Sequence, residues 1–144
     1  MTTSAASDYL ENKILDYIFD QDSFAVPSTY LALFTNVGEG AGTGSNLEAG
    51  TLTDEVDYAG AGVNYSRKAI SFDAASAGVT QNTSTVTFDP ATGSWGTVTH
   101  IAIMDSGTTG AGNVLFWGEV TTAKTIDTAD QFQVSAGNLT ISIS

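Results

Sequence analysis

The 144-residue chain contains no cysteine, two prolines and one histidine. Without cysteine there is no disulfide framework, zinc ribbon, iron–sulfur cluster or thiol nucleophile. Bases are scarce as well: four Lys plus Arg stand against sixteen Asp plus Glu, a formal net charge of −12. Such a surface repels a phosphate backbone, which argues against nucleic acid as a partner. No apolar run approaches the ~20 residues that a membrane span needs. The stretch Met1–Ser7 has no basic region followed by an apolar one, so no signal peptide and no membrane partner are expected, and synthesis in the cytoplasm is.

What is present instead is serine and threonine. Only 14 % of residues are charged, against roughly 25 % in an ordinary soluble domain. The polar surface must come from 14 Ser and 21 Thr. Threonine is β-branched and suits the solvated face of a strand, so this usage points to a β-rich chain. The acidity is uneven. Residues 1–60 hold ten acids and one base, whereas residues 61–144 hold six acids and three bases.

A helix is expected over residues 8–19. Leu10, Ile14 and Ile18 recur at helical spacing with Tyr17 beside them, and Ser7 or Asp8 can cap the start. This stripe is the candidate assembly contact: Leu10, Ile14, Tyr17 and Ile18 need a partner, in this domain or in a neighbouring subunit. The run 29–35 (TYLALFT) reads as a strand buried on both faces. Residues 36–62 hold 7 of the 15 glycines and read as a long acidic loop. A β-rich body follows over residues 65–144. Strands are expected at 65–72, 83–88, 95–104, 113–120, 123–126, 131–134 and 139–143, with turn residues between them. One domain spanning 1–144 is expected. Its fold class is mainly β, an antiparallel β-sandwich or open barrel with one N-terminal α-helix and a long Gly-rich loop.

Chemistry-bearing groups are few. His100 lies in a run with Val98, Ile101 and Ile103, without a visible nucleophile or orienting acid, and reads as a core or interface imidazole. Asp20 with Asp22, and Asp54 with Glu55 and Asp57, are the only acidic groupings suited to a hard cation. Neither has an EF-hand pattern, so no metal is assigned. The run Gly38–Gly44 lacks both the dinucleotide fingerprint and a Walker lysine, so no cofactor is assigned. No catalytic residue is assigned. Trp95 and Trp117 are candidate glycan contacts, since an indole offers a rigid apolar face with a polar edge. Three N-x-[ST] sequons, at Asn64, Asn82 and Asn138, read as chance without a signal peptide.

Six segments carry a family resemblance. They are Ser7-Asp-Tyr-Leu-Glu-Asn-Lys-Ile-Leu15, Tyr30-Leu-Ala-Leu-Phe-Thr35, Tyr65-Ser-Arg-Lys-Ala-Ile-Ser-Phe72, Thr92-Gly-Ser-Trp-Gly-Thr-Val-Thr-His-Ile-Ala-Ile103, Gly118-Glu-Val-Thr-Thr-Ala-Lys-Thr-Ile126 and Gly137-Asn-Leu-Thr-Ile141. In that order they resemble small virion proteins of tailed bacteriophages, of the tail-fibre-like or structural kind. The resemblance implies virion assembly and no defined reaction, and leaves tail and capsid positions open. The favoured reading is a non-enzymatic structural protein of a virion, tail or tail-fibre associated, with other virion proteins as partners and a homo-oligomeric state. Capsid decoration and a β-module for a host cell-surface glycan are the alternatives.

Overall fold

The computed structural model describes residues 4–19, 21, 23–25, 27–35 and 43–143. Its centre is a five-stranded antiparallel sheet. In spatial order the strands are β1 (Ser4–Ala6), β7 (Val114–Ile126), β6 (Gly96–Met104), β2 (Tyr30–Thr35) and β3 (Lys68–Ala69). Two smaller antiparallel pairs, β4 (Val79–Gln81) with β9 (Thr140–Ser142) and β5 (Val86–Thr87) with β8 (Gln133–Val134), complete a sandwich-like architecture with no closed barrel. Two helices, α1 (Asp8–Ile18) and α2 (Thr43–Glu48), pack on the strands.

Strand alternation divides the core in two. Leu31 and Leu33 of β2, with Ile101 and Ile103 of β6, face a core shared with Phe88, Phe132, Leu139 and Ile141. Ala32, Phe34, Ala102 and Met104 point the other way and meet Leu47 and Leu52. This is the period-two consequence of the pleat. It explains why β2 reads as an unbroken apolar run: both of its faces are buried. Burying each large side chain contributes about 1.5–3 kcal/mol, so the second core depends on the segment that supplies Leu47 and Leu52.

That segment is where the structure departs from the loop expected over 36–62. Residues Thr43–Glu48 form α2, and Leu47, Leu52, Glu55 and Val56 are buried. The reason is tertiary. Gly44 lies against the Trp117 indole so closely that a Cβ there would come within 2.9 Å of the ring. Trp117 Nε1 also donates to Glu48 Oε2 at 2.5 Å.

Strand limits shift for similar reasons. The expected strands at 113–120 and 123–126 are one strand, β7, interrupted by a bulge. His100 pairs with Glu119 but Val98 pairs with Lys124, so Thr99 alone opposes Val120–Ala123. A bulge of this kind bends the strand and blunts its edge. Of the expected strand at 65–72, only Lys68–Ala69 enters the ladder, because Tyr65 and Arg67 point into a buried polar network. β1 has no sequence signature at all. Its register, Ser4 to Gly118 and Ala6 to Phe116, is imposed by β7.

Candidate interaction surface

The helix start confirms a cap at Ser7. The Ser7 hydroxyl accepts from Leu10 N at 3.3 Å and donates to the Val114 carbonyl, while Ser7 N donates to Leu115 O at 3.0 Å. These bonds turn the chain from β1 into α1 and fix the helix against β7. They also decide which face points inward. Leu10 is 4 % exposed and belongs to this chain's own core, and Ile14 packs against the same cluster. Leu10 is therefore corrected from an assembly contact to a core residue, because the sheet itself supplies its partner. Tyr17 and Ile18 are each 63 % exposed. Two residues absent from the expected stripe join them, Leu15 at 53 % and Phe19 at 66 %. Four apolar side chains thus stand in solvent within about one turn at the C-terminal end of the helix. Tyr17 and Ile18 belong to the expected stripe, whereas Leu15 and Phe19 lie beside it and turn outward because Leu10 and Ile14 take the core side.

Neither tryptophan is fully exposed. Trp95 is buried, donates Nε1 to Val63 O at 2.8 Å and packs edge-on against Tyr65 and Phe88. It is corrected from a glycan contact to a core residue. Trp117 is partly buried under α2, bonded to Glu48, with its ring centroid 6.2 Å from that of His100. His100 is itself buried, with Nδ1 2.9 Å from Thr99 Oγ1 and Nε2 3.7 Å from Glu119 Oε1. Burial pushes its pKa below the ordinary value, against the opposing pull of Glu119 and Asp54.

The loop acids diverge instead of forming a cation site. Asp54 Oδ2 accepts from Asn46 Nδ2 at 2.8 Å, and Asp57 Oδ1 accepts from Gly62 N at 3.1 Å. Glu55 turns inward. Its carboxylate receives Arg67 Nε at 2.7 Å and Nη2 at 2.8 Å, the Tyr65 hydroxyl at 3.0 Å and Gly110 N at 2.7 Å. Arg67 Nη1 donates to the carbonyls of Ser106 and Ala111, and Tyr65 Oη accepts from Leu33 N. Every member is satisfied, so a charge pair that would be costly to bury alone becomes a pin joining β2, the 55–67 segment and the β6–β7 turn. Burial and the adjacent Glu55 charge push the Tyr65 phenol well above its usual range.

Among the described residues, one grouping of three carboxylates could share an ion: Asp8, Glu11 and Glu48, with oxygens within 4.8 Å of one another. The pair Asp20 and Asp22, and most of the Gly38–Gly44 run, lie outside the described residues. Asn82 is buried and uses its amide to hold Ser84, Ser135 and Leu139, so that sequon is a structural pin. A cleft of about 290 Å³ between the main sheet and β4–β9 is lined by Phe72, Phe116, Ile141 and Ile143, and among the described residues Asp73 is its only titratable lining residue. Its walls can bind carbon surface but offer no acid–base pair.

A family model described as podophage GP4 fiber I protein gp80 matches residues 5–142. The chain belongs to this family. The match covers β1 to β9, so the gp80 family assignment rests on the whole described fold and not on one motif. Membership makes the chain a phage tail-fibre-associated structural protein, located in the virion and associated with other virion proteins. No curated protein matches the chain.

Proposed function

We propose that this chain is a non-catalytic building element of a tail fibre, present in several copies and synthesised in the host cytoplasm. It joins neighbouring virion proteins through protein–protein contacts, with Tyr17 and Ile18 at the centre of one such contact. The observation that carries this reading is the gp80 family match across residues 5–142. The exposed apolar end of α1 adds a physical reason, because four large apolar side chains in solvent at one point are better explained by a partner than by solubility. Multiple copies allow weak single contacts to hold an assembly together.

Immunogold labelling of purified particles tests the position. Label confined to the tail fibres is expected, and label over the capsid lattice overturns it in favour of decoration. Sedimentation of the pure chain tests the copy number, and a strictly monomeric species at all concentrations overturns homo-oligomerisation.

A further inference from the structure

The solvent-facing stripe of α1 has two chemically different ends. Asp8, Glu11, Leu15 and Ile18 are spaced three, four and three apart, which places them along one helix face, with Phe19 adjoining. The other face is committed, since Leu10 and Ile14 pack into the core. At the N-terminal end of the outer stripe, Asp8 and Glu11 converge with Glu48 of α2, their oxygens within 4.8 Å. At the C-terminal end, Leu15, Ile18 and Phe19 are all more than half exposed. The stripe is therefore anionic at one end and apolar at the other.

We infer that this face docks a segment of a different protein that is basic at one end and apolar at the other. The inference rests on the structural role proposed above and names the partner's chemistry. Charge complementarity selects it over a second copy. A second α1 laid parallel sets carboxylates against carboxylates. Laid antiparallel in full overlap, it presses the carboxylates onto Leu15, Ile18 and Phe19, stripping them of water with no counter-charge, and an overlap of the apolar ends alone leaves Asp8, Glu11 and Glu48 without a counter-charge. The chain as a whole reinforces this, with ten acids and one base in residues 1–60. A partner carrying Lys or Arg opposite Asp8, Glu11 and Glu48, and aliphatic or aromatic side chains opposite the helix end, satisfies both halves at once. Apolar contact then supplies the holding force, and the charges set direction and disfavour a second copy on this face, leaving other faces to homo-oligomerisation.

Photo-crosslinking in intact particles tests this. With p-benzoylphenylalanine in place of Phe19, irradiation of purified virions is expected to join the chain to a Lys- or Arg-containing segment of another virion protein. Crosslinks to a second copy of this chain overturn the inference. Glu11→Lys and Ile18→Asp, each folded by circular dichroism, are expected to lower incorporation about tenfold. Asp127→Lys, a charge reversal at a different exposed site, is expected to leave it unchanged. Normal incorporation of Glu11→Lys overturns the charge argument. Absence of the unaltered chain from particles fails the structural role itself, a result distinct from its presence with self-crosslinks.

Discussion

Arg67 grips both oxygens of Glu55, Nε on Oε1 at 2.7 Å and Nη2 on Oε2 at 2.8 Å, with both side chains closed to solvent. The guanidinium also reaches the carbonyls of Ser106 and Ala111 on the β6–β7 turn. Planar bidentate geometry is a property of arginine that lysine cannot reproduce. The pair therefore holds three chain segments in one arrangement, and removing one partner differs in kind from removing both.

Arg67→Ala leaves the Glu55 carboxylate buried with only Tyr65 and Gly110 as donors. Urea unfolding is expected to show a loss of about 3–5 kcal/mol, the usual cost of an orphaned buried charge. The double variant Arg67→Met with Glu55→Leu removes both charges and is expected to recover much of that loss. A double variant as unstable as Arg67→Ala would show that the network's hydrogen bonds to Ser106, Ala111 and Gly110, not the charge balance, dominate.

Tyr65→Phe removes the acceptor of Leu33 N and one donor to Glu55 while keeping the ring stacked beside Phe88. A buried amide left without a partner costs about 1–3 kcal/mol. The variant also changes alkaline behaviour. The folded phenol ionises well above the ordinary value, whereas the unfolded phenol ionises near pH ~10. The unfolded state thus releases its proton first, and the stability contribution present below pH ~10 is lost as pH rises. Unfolding midpoints measured up the alkaline limb should fall less steeply in Tyr65→Phe than in the wild type.

His100 produces the opposite pH dependence. Burial holds its folded pKa below the ordinary value, so the unfolded state takes up a proton first as pH falls. Its contribution is fully present above pH ~6.5 and is lost as pH drops through the lower folded value. His100→Gln retains polarity without titrating. The difference in melting temperature between pH 7.5 and pH 5 should be smaller for the variant, and an equal difference would assign the acid sensitivity to carboxylates alone.

Glycines of the same backbone class separate by what surrounds them. Gly112 and Gly50 both have positive φ, at +78° and +76°. A Cβ on Gly112 would stand 2.4 Å from Ser106 Cβ and 2.6 Å from Asp105 Oδ1, whereas one on Gly50 meets nothing within 4 Å. Gly50→Ala should therefore cost only the left-handed backbone penalty, about 1–2 kcal/mol. Gly112→Ala should add an overpacking cost of about 1–3 kcal/mol, read from the same urea titrations.

These differences show which parts of the fold were legible in sequence. β2 was, because an apolar run bounded by polar residues describes a central strand whichever face is considered. α1 was, because its period and cap are local. α2 was not, since Thr43–Glu48 has one large apolar residue and a glycine, and only Leu47 in the second core and Gly44 under Trp117 make it a helix. Nor was β1, whose Ser-Ala-Ala has no strand propensity of its own. The Glu55–Arg67 pair was hidden because Glu55 sits among the acids Asp54 and Asp57 and reads as one more solvated charge. The exposed helix end was present in the sequence, but which of two apolar faces turns outward depends on how Ser7 docks on β7.

Ser7 is the residue through which that docking can be tested. Its hydroxyl is fully buried, accepting from Leu10 N as the helix cap and donating to the Val114 carbonyl. Ser7→Ala removes both bonds at once. The lost cap costs about 1 kcal/mol and the stranded carbonyl of Val114 about as much again. Ser7→Gly removes the same bond to β7 but leaves the cap backbone permissive, so it should be less destabilised than Ser7→Ala, by up to about 1 kcal/mol. The informative readout is local. Amide exchange in residues 8–18 should rise in Ser7→Ala while exchange in β2 and β6 stays slow, because the two-faced core does not depend on the cap. Uniform acceleration through β2 would show instead that α1 is an integral part of the core's cooperative unit, and that Leu10 holds the sheet together as much as the sheet holds Leu10.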